Sequence, residues 1–306
     1  MLVYHDNPVP ESRLVWFDRT GRLVDPVVPT AHYGDPSISP DSRSAAFLKY
    51  DIDTRVSDIW RVDLGHGGMS RVTNSNAFAV RPVWSPRADE MLYSMKRNLA
   101  AEMYRITPGG GPERLVQPSA TNQTATDWRM DGRFILYENF DPKTKSDLWL
   151  LPQQGDQTPI PYLRTPFNET RGKFSPDGRW VAYTSDESGT SDVYIQSLPT
   201  SARKWLVSAR GGSQCIWRRD GKELFYVASD RWMMAVPVRA AGSTLELGTA
   251  TRIFELPDGA TMGRLNYDVS ADGQRFLVNV AVKEGPFQPL AATVVVNWVA
   301  SVQRSR

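Results

Sequence analysis

The chain has 306 residues, enough to bury a sizeable core, and its 41 % hydrophobic and 23 % charged residues are the balance of a globular protein, not a disordered one. Lys and Arg number 36 against 34 Asp and Glu, a net charge of +2 that gives no electrostatic footprint for nucleic acid. One cysteine, Cys215, forms no internal disulfide and leaves the redox compartment open.

The N-terminus, Met1 to Asp6, has neither a basic start nor an apolar core, so no signal peptide is expected on this chain. Three short β-rich runs follow in order: Leu2-Val3-Tyr4, Leu14-Val15-Trp16-Phe17 and Arg22-Leu23-Val24. Then a four-residue punctuation recurs at 39–42, 85–88, 129–132, 175–178, 218–221 and 270–273, in its fullest form Ser175-Pro176-Asp177-Gly178. Its first residues are separated by 46, 44, 46, 43 and 52 positions. Pro presets φ, Asp bonds its own backbone and Gly accepts φ > 0, so each is a tight turn.

The flanks repeat with the turn. An apolar residue precedes it each time: Ile38, Trp84, Trp128, Phe174, Trp217 and Val269. A β-rich run follows it, from Ala46-Phe47-Leu48 to Phe276-Leu277-Val278. A third strand opens with an acid at Asp58, Glu102, Asp147 and Asp192, and a fourth closes the unit, as in Lys204-Trp205-Leu206-Val207. No segment carries a sustained, capped helical period. The last apolar stretch, Leu290 to Ala300, is broken by Thr293 and Asn297 and falls short of the ~20 residues of a membrane helix.

Four antiparallel strands at a period in the forties predict an all-β fold, a single β-propeller domain over residues 1–306. The strand tally points to seven blades. The first would lack its channel-lining strand and the last its rim strand, both expected just upstream of Leu2; six blades is the alternative. The chain is expected to be monomeric.

The Ser-Pro-Asp-Gly turn, followed by an aromatic strand and then Ser191-Asp192-Val193-Tyr194 or Ser146-Asp147-Leu148-Trp149, resembles the TolB-type, WD-repeat-like propeller of bacteria. Four stretches resemble more narrowly the propeller C-terminal to bacterial receptor-like serine/threonine kinases. They are residues 14–21, 217–226, 267–278 and 294–298. The resemblance covers essentially the whole chain and implies a periplasmic or extracytoplasmic recognition role. No Gly-rich phosphate loop, His-Arg-Asp or Asp-Phe-Gly motif accompanies it, so no kinase catalysis is expected.

Signals for chemistry are few. His5, His32 and His66 fall in turns or loops, without a Gly-x-Ser-x-Gly elbow or a His-Glu-x-x-His motif. The acidic loops near Asp51, Asp141 and Asp186 lack calcium-loop spacing and recur where a carboxylate can cap backbone N–H groups. Gly109 to Gly111 reads as a hairpin loop, and Cys215 as a small buried hydrophobe. No cofactor and no metal are expected.

What remains is the set of loops entering each inner strand, expected to meet at one mouth of the channel. They carry Tyr33, Asp35, Phe78, Arg81, Gln123, Asp127, Glu169, Arg171, Gln214, Asn266 and Tyr267. This mixture suits a protein, peptide or small polar ligand. The leading expectation is a non-catalytic recognition or sensor module. The alternatives are the propeller gate of a prolyl-oligopeptidase-like hydrolase lacking its catalytic domain, or a propeller lactonase or glycosidase.

Overall fold

The computed structural model describes residues 2–4, 11–97, 100–200, 203–242, 244–257, 267–282 and 293–295, the first and last of these by backbone alone. Among them there is no helix. The first strands are β1 (Leu2–Tyr4), β2 (Ser12–Asp18) and β3 (Leu23–Pro26). Blade one holds β4 (His32–Ile38), β5 (Ser44–Asp51), β6 (Val56–Asp63) and β7 (Met69–Arg71). Blade two holds β8 (Phe78–Trp84), β9 (Met91–Lys96), β10 (Ala101–Ile106) and β11 (Arg114–Leu115). Blade three holds β12 (Gln123–Trp128), β13 (Phe134–Asp141), β14 (Lys145–Pro152) and β15 (Ile160–Leu163).

Blade four holds β16 (Thr170–Phe174), β17 (Trp180–Ser185), β18 (Asp192–Ser197) and β19 (Lys204–Leu206). Blade five is larger. Its strands β20 (Gly212–Trp217), β21 (Glu223–Ala228) and β22 (Trp232–Ala241) are joined by both β23 (Thr244–Leu247) and β24 (Thr251–Glu255). The extra hairpin accounts for the long last interval between turns. Two more strands, β25 (Tyr267–Val269) and β26 (Arg275–Ala281), precede β27 (Thr293–Val295).

The ring closes by mixing the chain ends. Strand β26 pairs with β2 from Ser12↔Ala281 to Asp18↔Arg275, so β25, β26, β2 and β3 form one four-stranded sheet, the sixth blade. Six apolar clusters then lie one at each blade junction. Phe47 and Val62 of blade one meet Leu14 and Leu277 of blade six, and Phe225 and Met233 of blade five meet Phe17 and Phe276 on its other side. Side chains alternate across each strand, so Ala45 faces blade six while Ala46 faces blade two. Each fully buried Leu or Phe contributes roughly 1.5–3 kcal/mol.

Six blades therefore account for the ring among the described residues, and the expectation of seven with two strands missing is corrected. The tally had placed β1 in the same blade as β2. Instead, among the described residues, β1 pairs only with β27, as a separate two-stranded ribbon, and β25 supplies the inner strand that had looked absent. Residues 296–298, also assigned to the last strand, lie outside the described residues.

All six turns have the expected chemistry. The backbone N–H of the fourth residue donates to the carbonyl of the first at 2.8–2.9 Å, and that fourth residue has φ between 58 and 75° throughout. Four are glycines; Ser42 (φ 60°) and Ala88 (φ 58°) are not. Two of the third-strand acids cap backbone N–H groups as expected, Glu102 that of Ser119 and Asp192 that of Gly211, both at 3.0 Å, while Asp58 and Asp147 accept side-chain donors instead. Thr73 Oγ1 and Ser208 Oγ donate to Asp58 and Asp192 at 2.9 and 2.8 Å and accept the N–H of Ile59 and Val193.

Candidate functional site

Counting back from each turn gives two rows of equivalent residues on the inner strands. Four residues before the turn stand Asp35, Arg81, Ala125, Arg171 and Gln214, with Asn266 outside the described residues. Two residues before it stand Ser37, Val83, Asp127, Lys173, Ile216 and Asp268. Between the rows each of the first five inner strands carries a β-bulge. Asp35, Arg81, Arg171 and Gln214 have φ of 50–58°, a region that costs a non-glycine residue energy, and bulges of this kind re-aim side chains.

The first row is knitted into the protein. The small Ala125 leaves room for Glu138 from β13, which accepts Arg81 Nη1 at 2.8 Å and the backbone N–H of Arg171 at 2.8 Å. Asp35 accepts the N–H of Arg81 at 3.2 Å. Glu138 and Asp35 raise the Arg81 pKa above its ordinary value, while burial and the neighbouring Arg81 charge lower that of Arg171. Tyr267 donates its hydroxyl to the Gln214 carbonyl at 2.5 Å. Cys215, 1 % exposed, is pushed up to about 12 by burial, as a small buried hydrophobe would be.

The other residues expected at that mouth do not join this ring. Tyr33 packs edge-on against Phe47 at the junction of blades six and one, and Phe78 lies edge-on to Tyr50 beside blade one. Gln123 bonds Gln117 and Asn139. Glu169 is buried beside Thr165, whose hydroxyl donates to it, and burial, with Asp147 and Glu187 adding to it, pushes its carboxyl up to about 7. Asp127 belongs to the second row and faces the opposite mouth, beside the turns.

That turn-side mouth is open. A depression of about 330 Å³ is walled by Trp84, Trp128, Trp217 and Phe174, with Pro40, Pro86 and Pro176 of the turns at its edge. Its floor is the second row. Below it the channel narrows to a cavity of about 30 Å³ bordered by Asp35, Arg81 and Tyr267, the volume of a single water.

The second row also clasps the blades together. Asp268 Oδ2 accepts the Ile38 N–H at 2.6 Å, and Asp127 Oδ2 the Phe174 N–H at 2.7 Å. In return Trp84 Nε1 donates to the Ser37 carbonyl at 2.9 Å and Trp217 Nε1 to that of Lys173 at 3.2 Å. Burial raises both carboxyls, Asp268 to about 6. Of this row sequence reasoning named only Asp127, and it missed Glu138. The signal was there: one charged residue in a column otherwise occupied by Leu48, Ser94, Thr184, Val227 and Asn279.

Among the described residues no three His, Cys, Asp or Glu side chains converge as a metal site needs. His66 is exposed and bonds Asp63 at 3.2 Å, and His5 lies outside the described residues.

The structure of a protein assigned as TolB from Agrobacterium tumefaciens superposes with a TM-score of 0.68 at 17 % identity, over 91 % of this chain and 100 % of that one. TolB from Acinetobacter baumannii gives 0.57 at 17 % identity, over 90 % and 64 %. This chain shares the β-propeller fold of these proteins.

An oligogalacturonate lyase in complex with manganese shares it with a TM-score of 0.58 at 12 % identity, over 92 % of this chain and 96 % of that chain. In sequence, the uncharacterized peptidase YuxL of Bacillus subtilis is 24 % identical over 223 aligned residues, 56 % of this chain. The matched stretch spans 33 % of that relative's length. No family model matches the chain.

Proposed function

We propose that this propeller is a non-catalytic recognition module that takes a peptide segment or small polar ligand into the turn-side mouth of its channel. One observation carries the reading: an open, aromatic-walled depression of about 330 Å³ has polar and charged groups only at its floor and rim. That is the general form of a ligand site. The residues at the other end are largely engaged with one another, which supports a structural part for them. The likeness to the TolB structures supports a propeller able to act without a catalytic partner domain. The finer reading, the sensory end of a receptor-like kinase, rests on the four stretches of resemblance in the sequence.

A random-peptide display selection tests the proposal. Peptides selected on the native protein are expected to lose binding to a Ser37→Phe variant, which fills the floor. They should keep binding to Ile52→Glu, a change on an exposed hairpin of blade one. Selected peptides indifferent to Ser37→Phe would move the site elsewhere.

The peptidase relative favours a second reading, a propeller that gates a hydrolase domain. A fluorophosphonate probe that labels a serine in the complete gene product would support it.

A further inference from the structure

We infer that the turn-side mouth is a site for a primary ammonium group carried on an aliphatic stem, the chemistry a lysine side chain presents. The inference rests on the proposed role of this mouth and names what enters it. In blade order the floor reads Ser37, Val83, Asp127, Lys173, Ile216 and Asp268, so the two carboxylates stand three blades apart, on opposite sides of the ring.

Among the described residues neither carboxylate has all its acceptor sites filled. Asp268 accepts two backbone N–H groups, those of Ile38 and Val269 at 2.6 and 2.8 Å, and Asp127 accepts those of Phe174 and Trp128. A carboxylate offers about four acceptor sites. Lys173, the one cation on the floor among the described residues, compensates them poorly. Lys173 Nζ gives its short bond, 2.6 Å, to the Thr126 carbonyl and lies 3.9 Å from Asp127 Oδ1. One ammonium against two carboxylates leaves the half-buried floor with a net negative charge. Their mutual repulsion is expressed in Asp268, whose carboxyl is raised by burial and further by Asp127.

A second cation relieves that charge, and the walls select its form. Indole faces favour ammonium, and the apolar depth favours methylenes over a hydrated small ion. Arg219, the remaining charged side chain of the wall, is exposed on its turn and therefore stands at the rim. The entering group thus points its cation inward and leaves anionic or carbonyl groups outside.

The test uses Nα-acetyl-lysine methylamide and its norleucine counterpart, which keeps the stem and lacks the amine. Binding is followed by calorimetry and tryptophan fluorescence. The lysine derivative is expected to saturate, with the norleucine one at least tenfold weaker. Asp127→Asn and Asp268→Asn are each expected to weaken it tenfold or more. Because both aspartates also clasp blades, Lys173→Met gives an independent reading: removal of the competing ammonium should tighten the lysine derivative several-fold.

Equal binding of the two derivatives, or an unchanged or weaker affinity in Lys173→Met, overturns the inference. So does a lysine derivative that fails to saturate while display-selected peptides still bind this mouth. Each of those results leaves the wider recognition role standing, whereas peptides that ignore Ser37→Phe remove both.

Discussion

Glu138 accepts a 2.8 Å hydrogen bond from the Arg81 guanidinium, joining the second strand of blade three to the inner strand of blade two. Its other oxygen takes the backbone N–H of Arg171 in blade four, so one carboxylate holds three blades in register. The side chains of Arg81 and Glu138 are 22 % and 10 % exposed, too little for water to replace the lost partner.

Glu138→Ala should therefore be severe, costing about 3–5 kcal/mol, because it strands a buried guanidinium. Arg81→Met combined with Glu138→Met should cost clearly less than the sum of the single changes. Chemical denaturation of the three variants in a double-mutant cycle measures it; additive losses would show that the pair is not coupled.

Glu169 makes stability fall with rising pH. Burial holds its carboxyl at about 7 in the folded chain, against an ordinary 4.5. Below 4.5 both states are protonated and nothing is lost. Between 4.5 and about 7 the unfolded chain ionises first, so stability is lost progressively, and the full penalty is present above the folded value. Glu169→Gln should flatten this window and raise stability at pH 8 by roughly 1–3 kcal/mol. Thermal melts from pH 4 to 8 decide it; parallel curves for the two proteins would refute the assignment.

The turns predict opposite effects for opposite exchanges. Ser42 is held at φ 60° without being glycine, and Ser42→Gly should stabilise by about 1 kcal/mol. Gly273, at φ 69°, would place an added Cβ 2.7 Å from Arg218 Cδ, so Gly273→Ala should destabilise by about 1–2 kcal/mol. Urea midpoints give both signs, and a destabilised Ser42→Gly would contradict the turn geometry.

The blades were legible in the sequence because their chemistry is local. Asp177 caps its own turn, Trp217 marks the strand end before another, and each signal stands within a few residues of what it determines. Closure by mixing the chain ends was foreseen, but not the strands that make it. The pairing of Ser12–Asp18 with Arg275–Ala281 joins the two ends of the chain, and nothing near either strand announces it. The site was half legible for a similar reason. Asp35, Arg81, Arg171 and Gln214 stood among the eleven candidates, but a bulge separates them from the row two residues on, of which only Asp127 was named. That row, counted from the turn and not from the loop, forms the open floor. Glu138 acts on the inner strand from the next strand outward, so a search of inner-strand loops passes over it.

Ligand entry at the turn-side mouth is reported directly by the ten tryptophans. Indole ¹H–¹⁵N resonances should be assigned and followed during titration with Nα-acetyl-lysine methylamide or a display-selected peptide. Trp84, Trp128 and Trp217, which wall the mouth, should shift together and saturably, while Trp149 and Trp232 stay fixed. Shifts confined to tryptophans away from that wall, with Trp84, Trp128 and Trp217 unmoved at saturation, would contradict it.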